Sequence, residues 1–346
     1  MRIAAAVSGG MDSLQALVSL LDSGHDVVAV HGLFLPRSEE QDRTVEGLER
    51  ECERLRVEFH AVDLRDAFRK LVVEPFREAY IQGLTPNPCA VCNPAVKFGI
   101  FLDRCRELGA ERIATGHYFS TREVPGMGLM PRRAADPTKD QSYFLSLVPR
   151  ERLLASYFPL AEQFKKDIPD SLERRGVEPP IPTESQDVCF VPGDDYQQFL
   201  ETLGPMPDGG AIVLKDGTKV GEHRGLWRHT QGQRRGLGVA WSEPLYVLDK
   251  DVERNELIVG PKSELASNGC VIRNVNVFSD PASWPDVVDI RTRYRQANKA
   301  GRWEIEGDRM RLSFIEPQSR PTPGQIAALY KPDGTLLGGG IIESEF

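Results

Sequence analysis

The sequence lacks the long apolar run that a membrane-spanning helix needs. None of its 346 residues belongs to a stretch approaching the roughly 20 consecutive apolar residues required, and the N-terminal IAAAV is too short for the core of a signal peptide. We therefore expect a cytoplasmic protein with no membrane partner, monomeric when free. Its hydrophobic content of 40% and charged content of 27% are ordinary for a globular chain of two or three domains.

Cysteine is scarce, and the chain carries no excess of positive charge. Six cysteines in a cytoplasmic chain of this length are not a disulfide framework. The net charge of -8 argues against a wholly basic nucleic-acid binder. Two local segments, 219–235 and 291–302, are nevertheless basic, with five Lys or Arg each. They indicate faces for a polyanion, although solvated strand or loop surfaces would look the same.

A lysine is missing where a phosphate-binding loop usually has one. The stretch AVSGGMDS, residues 6–13, lies between an apolar strand pattern and a helical pattern but does not match G-x-x-x-x-G-K-[ST]. Gly9 and Gly10 would let backbone N–H groups face an anion at the start of the helix. A carboxylate beside polyphosphate, Asp12, makes sense if Mg²⁺ joins them, and Ser13 can cap the helix or bind phosphate. A tight turn capped by Asp12 is the alternative.

Strand and helix patterns alternate along the first half of the chain. Strands are predicted at RIAAAV, DVVAVHGLFL, EFHAVDL and RIATGHY, and helices follow them at DSLQALVSLLDSG, 38–56, 65–82 and 95–108. This alternation predicts an α/β fold with a doubly wound, mostly parallel sheet. Ligands of such sheets bind beyond the carboxyl ends of the strands, where SGGMDS, GLFL and TGHY should converge.

From about residue 205 the pattern becomes all-β. Short apolar runs are separated by Gly, Pro and Asp turns, including the hairpin signals KDGT and PDGT. We divide the chain into residues 1–204, a small β-rich domain at 205–266 and an antiparallel β-barrel at 267–346. Between these patterns, residues 141–200 mix helices with a predicted short strand, QDVCFV.

The motif S-G-G-x-D-S resembles the pyrophosphate loop of the N-type ATP pyrophosphatases. Further motifs follow in order over nearly the whole chain: TPNPCAVCNPAVKF, ATGHY, KDQSYFL, ESQDVCFV, HTQGQRRGLG, RTRYRQ, TPGQIAALY and LGGGIIE. Together they resemble the bacterial tRNA-specific 2-thiouridylase family. The resemblance implies adenylation of O2 of the wobble uridine of certain tRNAs by ATP, followed by replacement of that oxygen with sulfur. Because the loop then grips the departing pyrophosphate, a lysine at a transferred γ-phosphate is unnecessary.

The resemblance also implies the residues that bind ATP with Mg²⁺. They are the loop, Leu35 packing on adenine, and Gly116: Ala6, Val7, Ser8, Gly9, Gly10, Met11, Asp12, Ser13, Leu35 and Gly116. Without the resemblance, Leu35 would be an ordinary apolar strand residue.

The sulfur chemistry implied by the family uses two cysteines. Cys189 would carry sulfur as a persulfide, supplied by a sulfur-carrier protein or a cysteine desulfurase, and Cys92 would attack it, leaving a Cys92–Cys189 disulfide. From the sequence alone, Cys189 in VCFV also suits a core position.

Residue 89 is cysteine where many family members have aspartate. The resulting C-x-x-C of Cys89 and Cys92, with Cys189 as a third thiolate, favours a [4Fe–4S] cluster with one open iron, ahead of zinc.

The remaining correspondences concern tRNA. The family places Asn87, Pro88 and Cys89 around the flipped base and His117 near it. Further contacts are implied at Lys139, Asp140 and Gln141, and on the barrel at Arg293, Tyr294 and Gln325. Two other hypotheses stay open: an amide ligase that adenylates its substrate and adds ammonia, although no ammonia-generating domain is evident, and a non-catalytic RNA-binding protein with a relic loop.

Overall fold

A computed structural model describes residues 1–181 and 188–346, and its N-terminal half is built on a parallel sheet. The strands run in the order β3-β2-β1-β4-β7, all parallel. Their bounds are β1 Arg2–Ala6, β2 Asp26–Leu33, β3 Glu58–Asp63, β4 Arg112–Ala114 and β7 Ser156–Tyr157. The predicted α/β fold with a mostly parallel sheet is confirmed.

Helices cover both faces of this sheet. They are α1 Met11–Asp22, α2 Glu39–Leu55, α3 Arg65–Phe68, α4 Glu74–Ile81, α5 Pro88–Cys92 and α6 Phe101–Glu107. The central strand β1 is buried because apolar side chains pack on it from both sides, with Ile3 and Ala4 belonging to separate core clusters. No helix in the described residues is long and apolar enough to cross a membrane.

Two of the predicted helices contain π-helical turns. The helix predicted at 65–82 runs through α3, a π segment Arg69–Val73 and α4. The helix predicted at 95–108 begins earlier, at α5, and passes through a second π segment, Asn93–Ile100, before α6. A side chain at Gly99 would meet the carbonyl oxygen of Pro94 at 2.7 Å, so the second widened turn requires glycine.

Residues 141–200 contain short helices, as predicted, and a turn in place of the predicted strand. The helices are α7 Ser142–Leu145, α8 Arg150–Leu154, α9 Ile168–Arg174 and α10 Tyr196–Thr202. The predicted strand QDVCFV is wrong over its described part: the Val191 N–H donates to Val188 O at 2.9 Å and closes a turn. Its apolar character serves packing instead, because Phe190 is buried against Phe68 and Phe76. Gln186 and Asp187 lie outside the described residues.

A β-hairpin in the first half was also missed. Strands β5 Phe119–Val124 and β6 Gly128–Arg133 pair antiparallel outside the main sheet. Arg132 of the hairpin donates to Asp333 O at 3.1 Å, so the hairpin links the N-terminal domain to the C-terminal barrel.

The C-terminal half is all-β, as predicted. A four-stranded sheet has the order β10-β11-β8-β9, with β8 Gly210–Leu214, β9 Lys219–His223, β10 Leu245–Asp251 and β11 Glu256–Pro261. A closed six-stranded antiparallel barrel follows, made of β12 Ala266–Val277, β13 Val288–Arg291, β14 Lys299–Glu306, β15 Arg309–Ser319, β16 Ile326–Tyr330 and β17 Leu336–Glu345. The boundary residues proposed between domains stay a prediction.

The barrel is joined to the first domain by a buried polar network. Asp140 is 4% exposed and accepts hydrogen bonds from the Ser142 hydroxyl at 3.0 Å and from Arg291 at 3.5 Å. The Ser142 hydroxyl also meets the Tyr330 hydroxyl at 3.0 Å. Tyr143 donates to the barrel carbonyl of Ile326 at 3.1 Å. Buried charges held this way cost free energy when one partner is removed.

A second link reaches the barrel from the loop before α5. Gln325 donates from Nε2 to the carbonyl oxygens of Thr85 at 2.8 Å and Pro86 at 3.2 Å. Thr85 N in turn donates to Pro323 O at 2.9 Å.

Asp140→Ala should destabilise the protein, because it strands Ser142 and Arg291 at a buried interface. We expect the midpoint of thermal unfolding to fall by about 3–8 °C. Arg293→Ala, an exposed change on the same edge of the barrel, should move it by only about 1 °C. Equal melting temperatures for Asp140→Ala and the unmodified protein would contradict the structural role of this network.

Candidate functional site

The loop between β1 and α1 has the shape of an anion cradle. Gly9 adopts a φ of 90°, a conformation that favours glycine, and Gly10 occupies the N-cap position of α1. The Ser13 hydroxyl closes the loop, accepting from Ser8 N at 3.0 Å and donating to Gly10 O at 2.8 Å. Ser8 is exposed and Gly10 half-buried, so these two residues of the loop are accessible at the end of the sheet, while Gly9 is buried.

The segment that follows β4 packs directly against this loop. A Cβ atom added at Gly116 would lie 2.8 Å from the carbonyl carbon of Asp12 and from Ser13 N. Only glycine therefore allows the TGHY segment, residues 115–118, to approach the backbone of α1 so closely. The loop and this segment form one rigid edge.

Asp12 is held by two side chains that the sequence analysis missed. Lys165 Nζ lies 2.6 Å from Asp12 Oδ1, and the Tyr118 hydroxyl donates to the same oxygen at 3.0 Å. Lys165 is 153 residues away in sequence, in a pair of lysines with no local motif. A distant segment thus brings a positive charge beside the loop. Tyr118 belongs to the ATGHY motif, in which the sequence pointed to functions for Gly116 and His117 alone.

Leu35, the residue predicted to pack on adenine, lies in apolar surroundings. Leu35 follows β2, is half-buried and packs against the aromatic cluster that contains Cys92 and Phe190. Behind it, His31 Nδ1 lies 2.7 Å from Val7 O, and burial lowers the pKa of His31. The first two strands are therefore fixed to each other where they deliver the loop and Leu35.

The loop before the first cysteines ends in a capped helix. Asn87 accepts from the Ala90 N–H at 3.1 Å and caps α5, and Pro88 occupies the first helical position. Cys89 and Cys92 are three residues apart on this helix, so they share one face. Asn87 also interacts with the Tyr143 hydroxyl, which ties the cap to the domain interface.

The three thiols differ in their access to solvent. Cys92 is 7% exposed, Cys89 is intermediate and Cys189 is exposed. Each is close enough to another thiol of this set to be influenced by its charge. We call Cys89, Cys92 and Cys189 the thiol set. The structure thus brings together the cysteines that the sequence predicted to cooperate.

The surroundings of the thiol set disfavour ionisation. Burial raises the pKa of Cys92 to about 12 and raises the pKa of Cys89, and desolvation by neighbouring atoms raises the pKa of the exposed Cys189, while the charge of Lys97 acts in the opposite direction on all three. Since the thiolate is the reactive form, a bound substrate or a cation must favour it.

His117 lies beside the thiol set. Its pKa is well below the usual range because it is buried and because Lys97 is near. Its Nδ1 is 2.9 Å from the Thr115 hydroxyl, and its ring packs 5.6 Å from that of Phe98. It is therefore a neutral imidazole between the loop and the thiols.

Within residues 1–181 and 188–346, no group of three or more His, Cys, Asp or Glu side chains is arranged to hold a metal ion. The three thiols affect one another through their charges, but their sulfur atoms do not converge on a point where one metal ion could bind all of them.

Some of the residues predicted to contact tRNA are accessible at the surface, and others are engaged in contacts within the protein. Arg293 is exposed, and Tyr294 packs on Phe144 with ring centroids 4.5 Å apart. Lys139 is half-buried, and Gln141 accepts from Tyr118 N at 3.0 Å, which braces the TGHY segment. Asp140 and Gln325 make the domain contacts described above. The contacts of these residues with tRNA stay predictions.

Comparison with known proteins identifies all three parts of the chain. Residues 1–193 match the family described as tRNA methyl transferase HUP domain, residues 197–261 the tRNA methyl transferase PRC-barrel domain, and residues 267–342 the Aminomethyltransferase beta-barrel domain. Proteins named tRNA-specific 2-thiouridylase MnmA match end to end. That of Nitratidesulfovibrio vulgaris (strain Miyazaki F) is 50% identical over 99% of both chains. That of Oleidesulfovibrio alaskensis is 49% identical over 100% of both, and that of Lawsonia intracellularis 42% over 100% of both.

Gly116→Ala should damage the loop without unfolding the protein, because its Cβ atom would displace the backbone of Asp12 and Ser13. We expect affinity for Mg²⁺-ATP, measured by calorimetry, to fall at least about tenfold. Gly126→Ala is the control: no atom lies within 4 Å of the added carbon, and the only strain comes from its own φ of 76°. Unchanged ATP affinity in Gly116→Ala would contradict the close packing.

Proposed function

The chain belongs to the tRNA-specific 2-thiouridylase family, and we propose that the loop and the thiol set carry out the two halves of its reaction. It is a tRNA sulfurtransferase that 2-thiolates uridine, which confirms the predicted enzyme class, and a HUP-domain enzyme of this kind uses ATP. The mechanism, the site residues and the partners described below are proposals.

One observation carries the proposal: two consecutive residues connect the two halves of the site. Gly116 packs on the backbone of Asp12 in the loop, while His117 lies beside Phe98 and Lys97 near the thiol set. An adenylated base formed at the loop would therefore need little movement to meet a sulfur nucleophile. This juxtaposition is what a reaction in two steps at one place requires.

In the first step O2 of the wobble uridine attacks the α-phosphorus of ATP. The P–O bond to pyrophosphate breaks, and the uridine becomes an O2-adenylate. Backbone N–H groups of Gly9 and Gly10 face the leaving pyrophosphate, and Lys165, 15% exposed at its side chain, adds a positive charge beside the loop. Leu35 packs against the adenine ring.

We propose that Asp12 is the one carboxylate ligand of the Mg²⁺ that accompanies ATP. Mg²⁺ keeps most of its waters and phosphate ligands, so one carboxylate is enough, and only Oδ1 of Asp12 is hydrogen-bonded by Lys165 and Tyr118. When bound, the ion neutralises charge that develops on pyrophosphate.

In the second step the oxygen-bound AMP is replaced by sulfur. A sulfur-carrier protein or a cysteine desulfurase in the cytoplasm delivers sulfur to Cys189, the exposed thiol, which becomes a persulfide. The Cys92 thiolate attacks Sγ of Cys189, the persulfide S–S bond breaks, and HS⁻ leaves with its electron pair. HS⁻ adds to C2 and expels AMP, and loss of its proton gives the thiocarbonyl. A dithiol reductant then reopens the Cys92–Cys189 disulfide.

An iron-sulfur cluster does not fit the thiol set as arranged. Three thiolates would have to meet at one metal centre, and the described residues hold no such group. The proposed transfer therefore uses the thiols alone, although the C-x-x-C of Cys89 and Cys92 favoured a cluster.

For the RNA, we propose that Arg293 and Lys139 contact backbone phosphates and that Asn87, Pro88, Cys89 and His117 surround the flipped base. The exposed position of Arg293 supports its role. We also propose contacts by Asp140, Gln141, Tyr294 and Gln325, which line the same junction of domain and barrel. For the buried Asp140 this contact is indirect, through the segment that it braces.

Two half-reactions separate the roles of the loop and the thiols. Asp12→Ala should abolish tRNA-dependent pyrophosphate release, because the metal bridge to pyrophosphate is lost. Cys92→Ser should release pyrophosphate normally but form no 2-thiouridine, since AMP transfer precedes sulfur attack. Measuring both products for both variants tests the assignment. Normal pyrophosphate release by Asp12→Ala would refute the role of the loop, and incorporation of ammonia rather than sulfide would favour an amide ligase.

Cys89→Ser decides between the persulfide route and a cluster. On the persulfide route, the variant purified without oxygen should thiolate tRNA at the rate of the unmodified protein when given a persulfide donor. Cys52→Ser, a change in the core distant from the thiol set, is the matched control. Joint loss of iron and thiolation in Cys89→Ser, with both retained in Cys52→Ser, would instead establish a cluster.

A further inference from the structure

The motif HTQGQRRGLG folds into a turn of the central domain that presents two arginines to solvent. Arg234 and Arg235 are exposed, and Leu237 beyond them is buried in the apolar cluster of that domain. We call residues 230–237 the arginine turn. The sequence contains no Asp or Glu at 226–241, so its charged side chains here are all positive.

Hydrogen bonds hold the arginine turn in one shape. Gly232 N donates to Val247 O at 2.8 Å, and Val247 N donates to Gln233 O at 2.9 Å, so the turn is fixed on strand β10. The Gln233 side chain spans the turn, accepting from Thr230 N at 2.9 Å and donating to Arg235 O at 2.9 Å. The arginines therefore project from an ordered backbone, which lowers the entropy lost when a ligand binds them.

The second basic segment of the sequence meets the arginine turn. A carbon atom added at Gly232 would lie 3.9 Å from Nη2 of Arg293, the exposed arginine of the barrel. The same Nη2 donates to the Thr322 hydroxyl at 3.0 Å. Close by in the chain, Arg320 Nη1 donates to Leu248 O of the central domain at 3.1 Å, so barrel and central domain are bonded to each other here. The two basic segments thus meet at one surface.

A short chain of contacts connects this surface to the proposed base pocket. Thr322, which holds Arg293, accepts a backbone hydrogen bond from Gln325 N at 3.1 Å. Gln325 in turn donates to Thr85 O, in the segment before α5. Thr85, Thr322 and Gln231 of the arginine turn also line one cavity. The arginine turn is therefore held beside the loop that leads to the base pocket.

We propose that the arginine turn binds backbone phosphates of the tRNA, with Arg234 and Arg235 as the contacting residues. The inference rests on the proposed function, which assigns Arg293 to the same RNA. A guanidinium group stays charged at neutral pH and pairs with phosphate oxygens through two parallel hydrogen bonds. In a chain of net charge -8, a turn without acidic residues is a place where a polyanion is attracted. The central domain is then an RNA-binding module and not only a connection between the other two domains.

The salt dependence of tRNA binding tests this proposal. Binding of a tRNA with a wobble uridine is measured by fluorescence anisotropy between about 50 and 200 mM salt, without ATP or a sulfur donor. In the double variant Arg234→Gln and Arg235→Gln we expect affinity to fall about tenfold or more. The slope of log affinity against log salt should become shallower by about two, because each lost phosphate contact removes about one.

Two further variants serve as controls. The double variant Arg234→Lys and Arg235→Lys keeps the charge and should keep most of the salt slope. Arg254→Gln removes one exposed positive charge from a different turn of the same domain, where Arg254 lies 3.8 Å from Asp251, and should match the unmodified protein.

The wobble base provides a second readout. Phosphate contacts carry no sequence information, so the Gln double variant should lose the same factor with a tRNA whose wobble uridine is replaced by cytidine. A loss confined to the uridine-containing tRNA would overturn the inference, and so would an affinity and a salt slope equal to those of the unmodified protein. Unchanged tRNA affinity with slower thiolation only when a cysteine desulfurase supplies the sulfur would assign the turn to the donor protein and would also overturn it.

A failure of the proposed function is recognised separately. Binding of tRNA requires neither adenylation nor sulfur transfer, whereas absent pyrophosphate release by the unmodified protein would show that the proposed reaction is wrong. Both arginines are exposed, so the melting temperature of the Gln double variant should stay within about 1 °C. If it does not fold, Arg234→Gln and Arg235→Gln alone, each expected to reduce the salt slope by about one, provide the same comparison.

Discussion

The ion pair between Lys165 and Asp12 joins segments that are far apart in sequence and on which the rest of the site depends. Asp12 lies in the first turn of α1, Lys165 precedes α9, and Tyr118 reaches the same carboxylate oxygen from the segment between β4 and β5. A carboxylate beside a polyphosphate site would repel the ligand unless a cation accompanied it. The fold supplies one such cation from the protein itself, and the loop can therefore do without a lysine of its own.

The carboxylate of Asp12 pairs with a neighbouring cation, whereas burial disfavours the charged form of the thiols. The cluster that buries Cys92 also stabilises the domain, but it disfavours the charged form that reacts. In the proposed reaction the exposed Cys189 would receive the sulfur, and the buried Cys92 would attack it. Burial would then also protect the attacking thiol from adventitious oxidants.

Sequence patterns predicted the elements that are fixed locally. The strand RIAAAV, the glycines of the loop and the all-β second half follow from periodicity and turn chemistry, and all appear in the fold. Lys165 could not be predicted this way, because its role depends on chain folding over 153 residues. The strand proposed around Cys189 failed for a related reason: an apolar run can be buried by aromatic side chains, as Phe190 is, without pairing in a sheet.

The bond from Gln325 to the carbonyls of Thr85 and Pro86 has a consequence for how the three domains can be separated. The segment leading to α5 takes its shape partly from a barrel residue some 240 positions later in the chain. A fragment ending near residue 204 would keep the sheet and the loop between β1 and α1 but would remove the barrel partners of those carbonyls and of the buried Tyr143 hydroxyl. The barrel therefore helps to shape the segment before α5, and a barrel exchanged between relatives would need a hydrogen-bond donor at the position of Gln325.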